Sequence, residues 1–202
     1  MRDFNIRPIA FEEIDQIASF ISVGYDDDIF FHWCVESDED RHRIVTDYYK
    51  VYLNAKGCVA HVAESSDSSI IGATVWLPHD VDISIYDEID RVVGKYADSF
   101  RAVADMSHEN EPTGMPFYQL VAVVASKDVR GMGIGTALLK YHLDILDKLE
   151  VPTYLEASTP YHGKGMYGKF DYRPFGELMV FSDMAVLYPL WRPAGGKADN
   201  CV

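Results

Sequence analysis

The stretch that most constrains this chain runs from Tyr118 to Leu149, and at its centre is Val129-Arg130-Gly131-Met132-Gly133-Ile134-Gly135-Thr136. Before it lies Leu120-Val121-Ala122-Val123-Val124-Ala125, short, apolar and rich in β-branched residues. That is the composition of a buried strand. After it, Leu138, Tyr141, Ile145 and Leu149 recur at helical spacing, with Leu139, Leu143 and Leu146 widening the apolar face. The glycines therefore sit where a buried strand passes into an amphipathic helix. Glycines at alternate positions leave backbone N–H groups uncovered, and the helix start adds unsatisfied donors and the positive end of its dipole. Such a turn is a seat for an anion, most naturally a phosphate.

Spacing decides which phosphate ligand. A Walker loop ends in Gly-Lys-Ser/Thr, and here the residues are Gly135-Thr136-Ala137. A Rossmann fingerprint places a third small residue three positions after its second glycine, where this chain has Thr136. What remains is Arg-Gly-x-Gly-x-Gly after a buried strand. This resembles the acetyl-CoA-binding motif of the GNAT N-acetyltransferase superfamily, whose loop amides hold the CoA pyrophosphate. Further on, Met166-Tyr167-Gly168-Lys169-Phe170-Asp171-Tyr172 resembles the family's F-Y-x-x-x-G-F segment, with Asp171 in place of Gly and Tyr172 in place of Phe. With weaker echoes at Gly24-Tyr25, Trp33 and Ala73 to Pro78, the chain is most similar to the puromycin N-acetyltransferase-like small-molecule branch.

The resemblance implies an α/β (α+β) fold: a GNAT-like mixed, mostly antiparallel central sheet of about seven strands, splayed at the acetyl-CoA site and flanked by helices. It implies that Val123, Val124 and Ala125 pair with pantetheine and offer an N–H to the thioester carbonyl. Arg130, Gly131, Met132, Gly133, Ile134, Gly135 and Thr136 then hold the pyrophosphate, and Ser158 lies near the pantetheine. Tyr167 falls on the family's general-acid tyrosine. Tyr25, Asp28, Phe31 and Trp33 belong to a segment that overhangs the acceptor site in GNAT-like folds, though the same residues also read as a helix start with core-facing aromatics. The general base stays open between Glu156, on the strand beside the CoA strand, and His108, on the loop entering it, with His79 and Asp26 to Asp28 as further candidates.

The implied activity is acetyl-CoA-dependent transfer of an acetyl group to the amine of a small molecule, by direct attack on the thioester. Peptide or protein N-acetylation is one alternative. A catalytically weak acyl-CoA-binding module is the other, raised by the departures at Asp171 and Tyr172.

Composition narrows the setting. A chain of 202 residues, 48% hydrophobic, suits one domain with a full core, expected over residues 1–192 with a frayed tail over 193–202. No apolar run reaches bilayer-spanning length, and the N-terminus lacks the apolar region of a secretory signal. Cys34, Cys58 and Cys201 have neither disulfide nor zinc spacing, so they read as reduced thiols of a cytoplasmic protein without a metal. A net charge of −14 argues against nucleic-acid or anionic-membrane partners and favours a cationic acceptor. It also repels CoA, so Lys127, Arg130, Lys164 and Lys169 are the expected local counter-charges. Monomer and homodimer both fit.

Periodicity supplies the remaining elements. An edge strand is expected over Phe4 to Ala10, then a helix with Phe11, Ile14, Ile17, Ala18 and Ile21 on its apolar face. Ser37 caps a helix carrying Ile44, Val45, Tyr48, Val51 and Tyr52, and Cys58–Ala63 with Ile70–Leu77 form a hairpin. One or two helices span Ile83 to Met106, a loop covers Ser107 to Pro116, and the final strand runs from Leu178 to Leu187.

Overall fold

The computed structural model describes residues 3–196 except 83, 162 and 164, so Lys164, Cys201 and the end of the expected tail lie outside the described residues. In chain order the elements are β1 (Phe4–Pro8), α1 (Ile14–Gly24), α2 (Ile29–Cys34), α3 (Asp38–Asn54), β2 (Val59–Ser65), β3 (Ile70–Pro78), α4 (Ser84–Val93), α5 (Ala97–Asn110), β4 (Tyr118–Ala125), α6 (Ile134–Lys148), β5 (Thr153–Ala157), β6 (Arg173–Pro174), β7 (Met179–Val180) and β8 (Val186–Arg192). The strands form one sheet in the order β1-β2-β3-β4-β5-β8-β6, with β7 on β8. Every pairing is antiparallel except β4–β5, because α6 carries the chain back across the sheet between those two strands, as a parallel connection requires.

Strand alternation assigns the two faces. On one, Ile17 and Ile21 of α1 and Val45 and Tyr49 of α3 pack on Val62, Ala73, Val75, Ala122 and Val124, with α4 and α5 adding Ile89 and Phe100. On the other, Leu139, Leu143 and Leu146 of α6 cover Trp76, Leu120, Leu155, Tyr172 and Leu190.

The register of β4 contains the feature that opens the site. Val75 pairs with Ala122 but Trp76 with Leu120, so Val121 is an extra residue, a β-bulge, and bulges bend the strand that carries them. Pairing with β5 covers only Tyr118–Leu120 against Thr153–Leu155. Beyond the bulge the two strands diverge.

Several expectations need correction. The sheet has eight strands, two of them only two residues long. The expected final strand breaks into β7, a bend at Ser182 to Met184 and β8, which ends at Arg192; Phe181 N–H and Ser182 N–H both return to Ala185 O. Ser107 to Asn110 belong to the last turn of α5, not to a loop. The buried seam of α6 is Leu138, Leu139, His142, Leu143 and Leu146, while Tyr141, Ile145 and Leu149 face outward. Phe11 is likewise exposed, in a short 3-10 turn before α1.

Under α6 lies an unusual polar pocket. His61, Thr74, Trp76 and His142 are almost fully buried. His61 Nδ1, Thr74 Oγ1, Trp76 Nε1 and both ring nitrogens of His142 have no hydrogen-bond partner among the described residues. The imidazoles lie 5.0 Å apart and His142 is 4.7 Å from the Trp76 ring. Burial holds both histidines neutral, with His61 pushed down to about 4 and His142 to about 3.

Candidate active site

The gap between β4 and β5 leads into a cavity of about 1120 Å3. One end is lined by Val121, Val123, Val124, Ala125, Arg130, Ala157, Ser158 and Gly165 to Gly168, the other by aromatic and acidic side chains of α3, α4 and α5 together with Glu156.

The glycine loop begins at the far end of β4. Gly131 and Gly133 take φ of +79° and +87°, a region that residues with a Cβ enter at a cost. Gly133 is the N-cap of α6. The amides of Gly131, Gly133, Ile134, Gly135 and Thr136 make no hydrogen bond among the described residues, so the expected row of free donors is present. Ile134 buries its side chain in the core while Met132 is exposed. Arg130 lines the cavity, and the glycines continue from it along the surface.

The cations at this loop already have partners. Lys127 Nζ lies 3.0 Å from Asp27 and 3.5 Å from Asp26, and Arg130 is 3.6 Å from Asp27. Arg130 also donates to the Gly24 carbonyl at 2.8 Å. These pairs are solvent-exposed and therefore weak. A pyrophosphate offering bidentate acceptors could take both cations from them.

On the splayed edge, the Tyr25 hydroxyl accepts the Val123 N–H at 3.3 Å. The Tyr25 ring stacks on Tyr49 at 5.9 Å and tilts against Phe31 at 5.3 Å. Burial raises the Tyr25 hydroxyl to about 12. Asp28 is fully committed: one oxygen caps α2 through the Phe30 N–H at 2.9 Å, and the other accepts from Ser158 Oγ at 2.6 Å. Asp28 and Ser158 thus clasp the α1–α2 turn to the end of β5. They line the cavity, but as a fastening rather than as free binding groups. Phe31 is in the wall; Trp33 is not, because the single turn of α2 points it at Phe30 and Phe181 instead.

Tyr167 lines the cavity, half-buried, from a 3-10 turn at Tyr167–Phe170. Burial, with Tyr25, Tyr172 and Asp28 nearby, raises its hydroxyl far above the ordinary tyrosine value. The segment departs in residue type from the pattern it resembles. Asp171 holds the left-handed position at φ +64°, which Asp tolerates better than most residues. Tyr172 is fully buried, accepts a 2.7 Å bond from Thr153 Oγ1 and meets the Tyr167 ring edge-on.

The base candidates separate clearly. Glu156 faces the cavity, and burial, reinforced by Glu111, raises its carboxyl to about 7 against the pull of two hydrogen bonds. His108 sits on α5 at the rim, 82% exposed and 3.0 Å from Glu111, because the helix runs four residues longer than the prolines suggest. Sequence reasoning missed Ser107 and Tyr154, which hold Glu156, and the wall residues Tyr52, Tyr86 and Phe100. The run of tyrosines on α3 was visible, but only as a core face.

No protein-family model matches the sequence, and no curated protein does either. Solved structures do match. An acetyltransferase from Corynebacterium glutamicum, described with histone acetyltransferase, superposes with TM-score 0.66 over 100% of both chains at 20% identity. The fold is that of the GNAT acetyltransferases. Arylalkylamine N-acetyltransferase 2 from Aedes aegypti shares the GNAT fold at TM-score 0.64 and 10% identity, over 95% of this chain and 99% of its own. Drosophila melanogaster polyamine N-acetyltransferase does so at 0.61 and 12%, over 95% and 100%. The bulge, the splay and the glycine turn into α6 are where this GNAT sheet opens.

Proposed function

We propose that this chain is an acetyl-CoA-dependent N-acetyltransferase acting on the amine of a small molecule. One observation carries the reading: a single cavity joins the splayed edge of β4 and Arg130, where the glycine loop begins, to the Glu156 carboxyl. Acetyl-CoA supplies an activated acetyl group and a thiolate leaving group; the residues of this chain do the rest. Arg130 and the amides of Gly131 to Thr136 bind the pyrophosphate. The edge of β4 from Val121 to Ala125 orients the pantetheine, and the Tyr25 hydroxyl marks where an acceptor oxygen sits on it.

Glu156 takes a proton from the incoming ammonium, directly or through one water, leaving the nitrogen lone pair free to attack the carbonyl carbon. Backbone N–H groups of β4 stabilise the charge that develops on the carbonyl oxygen. As that carbon expels sulfur, Tyr167 gives its proton to the departing thiolate; the attacking nitrogen loses its second proton as the amide forms, which restores Tyr167 through water, and Glu156 releases the first to solvent. Its raised proton affinity keeps it protonated, as an acid must be.

The acceptor half supports a small substrate. Tyr86 and Ile89 of α4 and Phe100 and Val103 of α5 wall it, where a peptide enzyme needs an open groove. The sequence motifs favour the puromycin N-acetyltransferase-like branch, and the neighbours that act on arylalkylamines and polyamines agree in substrate class. The likeness to a structure described with histone acetyltransferase keeps a protein acceptor as the second reading. Free-thiol release from acetyl-CoA, measured against a panel of small primary amines and of basic peptides, tests the choice. Turnover on small amines is the expected result; turnover on peptides alone would contradict it.

A further inference from the structure

Glu156 does not hold its carboxylate alone. Strand periodicity turns Tyr154 and Glu156 to the same face of β5, and the Tyr154 hydroxyl donates to Oε1 at 3.0 Å. From the facing side, in the last turn of α5, Ser107 Oγ donates to Oε2 at 2.9 Å. Each carboxylate oxygen thus receives one hydroxyl, from elements 49 residues apart in sequence for Ser107. We propose that Ser107 and Tyr154 form a two-hydroxyl clamp that sets how tightly Glu156 holds its proton, making α5 a working part of the acceptor site and not only its wall. This rests on Glu156 being the base.

The physical reason is an asymmetry between the two charge states. An ionised carboxylate accepts both O–H bonds, whereas a protonated one must give up or reverse one of them, so both hydroxyls favour ionisation. Burial and the charge of Glu111 oppose them. Tyr52 from α3 and Tyr86 from α4 feel this charge and stay neutral at working pH, and the same cavity wall carries Asp87 and Asp90 of α4 and Arg101, Asp105 and His108 of α5. Across the sheet, β8 presents Pro189 opposite Glu156, which carries no charge. Among the described residues the two hydroxyls are the side chains that hydrogen-bond Glu156 and draw its carboxyl down against burial. Both hydroxyls act through Glu156, so Ser107 and Tyr154 are positioning residues.

The test reads the carboxyl directly. The Glu156 Cδ resonance is followed by 13C NMR titration in the wild type, Ser107→Ala, Ser107→Thr and Tyr154→Phe, alongside pH profiles of kcat/KM. Ser107 is half-buried at a helix end, so Ser107→Ala should fold even if Tyr154→Phe, at a fully buried site, does not. The expected result is a midpoint near 7 in the wild type. It should move upward by about half to one unit in Ser107→Ala and return in Ser107→Thr. The activity deficit should be largest at acidic pH and shrink on the alkaline side. A midpoint unchanged in folded Ser107→Ala overturns the clamp, whatever the activity. If instead the acidic limb of the rate profile survives Glu156→Gln, the assignment of Glu156 as base fails, and the NMR midpoints still judge the clamp by themselves.

Discussion

The proposed mechanism places the proton transfer of the site on one carboxyl, Glu156. Replacing it by Gln keeps its shape and removes its basicity, so kcat/KM should fall by on the order of 10²–10⁴, as for other positioned proton acceptors. In the wild type, activity should decline as pH drops through about 7, because the protonated carboxyl can no longer accept a proton. Tyr167→Phe should cost less, about tenfold. Its proposed task is to protonate a thiolate, and a thiol pKa near 8–9 makes sulfur a competent leaving group without help. At the loop, Gly133→Ala forces a Cβ into φ +87°, a strain of roughly 1–2 kcal/mol. Where the loop relaxes away from that geometry, acetyl-CoA affinity should weaken by about tenfold, with kcat on bound substrate little changed; calorimetric titration separates the two. At this scale the glycine turn and the place of Tyr167 on the cavity wall were legible because each motif is written in consecutive residues. Ser107 was not, since its meeting with Glu156 depends on how far α5 runs. Nor was the direction of Trp33: one short helix decides which of four aromatic rings lines the cavity.

Between elements, the contact of α6 with β2 and β3 does the most to fix the site, because α6 carries the loop at its N-terminus. Gly72 on β3 makes that approach possible: a Cβ there would come within 2.6 Å of Ile134 Cγ2 and 2.9 Å of Leu138 Cδ1. Gly72→Val should therefore destabilise the fold by about 1–3 kcal/mol, as overpacking does, and displace the loop with it. The same contact holds the buried pair His61 and His142. Unfolded imidazoles take up protons below about 6.5, while the folded rings do so only near 4 and 3. In that window the unfolded chain binds more protons, so folding stability falls as pH falls from about 6.5 to 4, by up to about 1.4 kcal/mol per histidine per pH unit. Urea midpoints at pH 7 and 5 check this: the wild type should lose stability at pH 5, and His142→Phe should lose less. Element types were mostly readable from periodicity, as with the β2–β3 hairpin and Ser37 at the start of α3, whose hydroxyl accepts the Asp40 N–H. The bulge at Val121 was not, because one extra residue in an apolar run leaves no mark on composition. Nor was the true face of α6, where a histidine sits in the buried seam and leucine and isoleucine lie outside it.

For the molecule as a whole, charge and ligand stand in tension. A net charge of −14 repels a polyanion, and the loop cations Lys127 and Arg130 are held by Asp26 and Asp27. Among the described residues no helix is long and apolar enough to cross a membrane. If the loop nonetheless seats CoA, the helix dipole and the free amides of Gly131 and of Gly133 to Thr136 must outweigh that repulsion. Thermal unfolding with acetyl-CoA, CoA, ATP and NAD side by side measures the balance most directly. A ligand at a hundred times its dissociation constant stabilises by about 2.7 kcal/mol, a midpoint rise of roughly 5–10 °C for a chain of this size. The account predicts such a rise with acetyl-CoA and CoA, and little or none with ATP or NAD. No shift with acetyl-CoA at millimolar concentration, or an equal shift with all four, would contradict it.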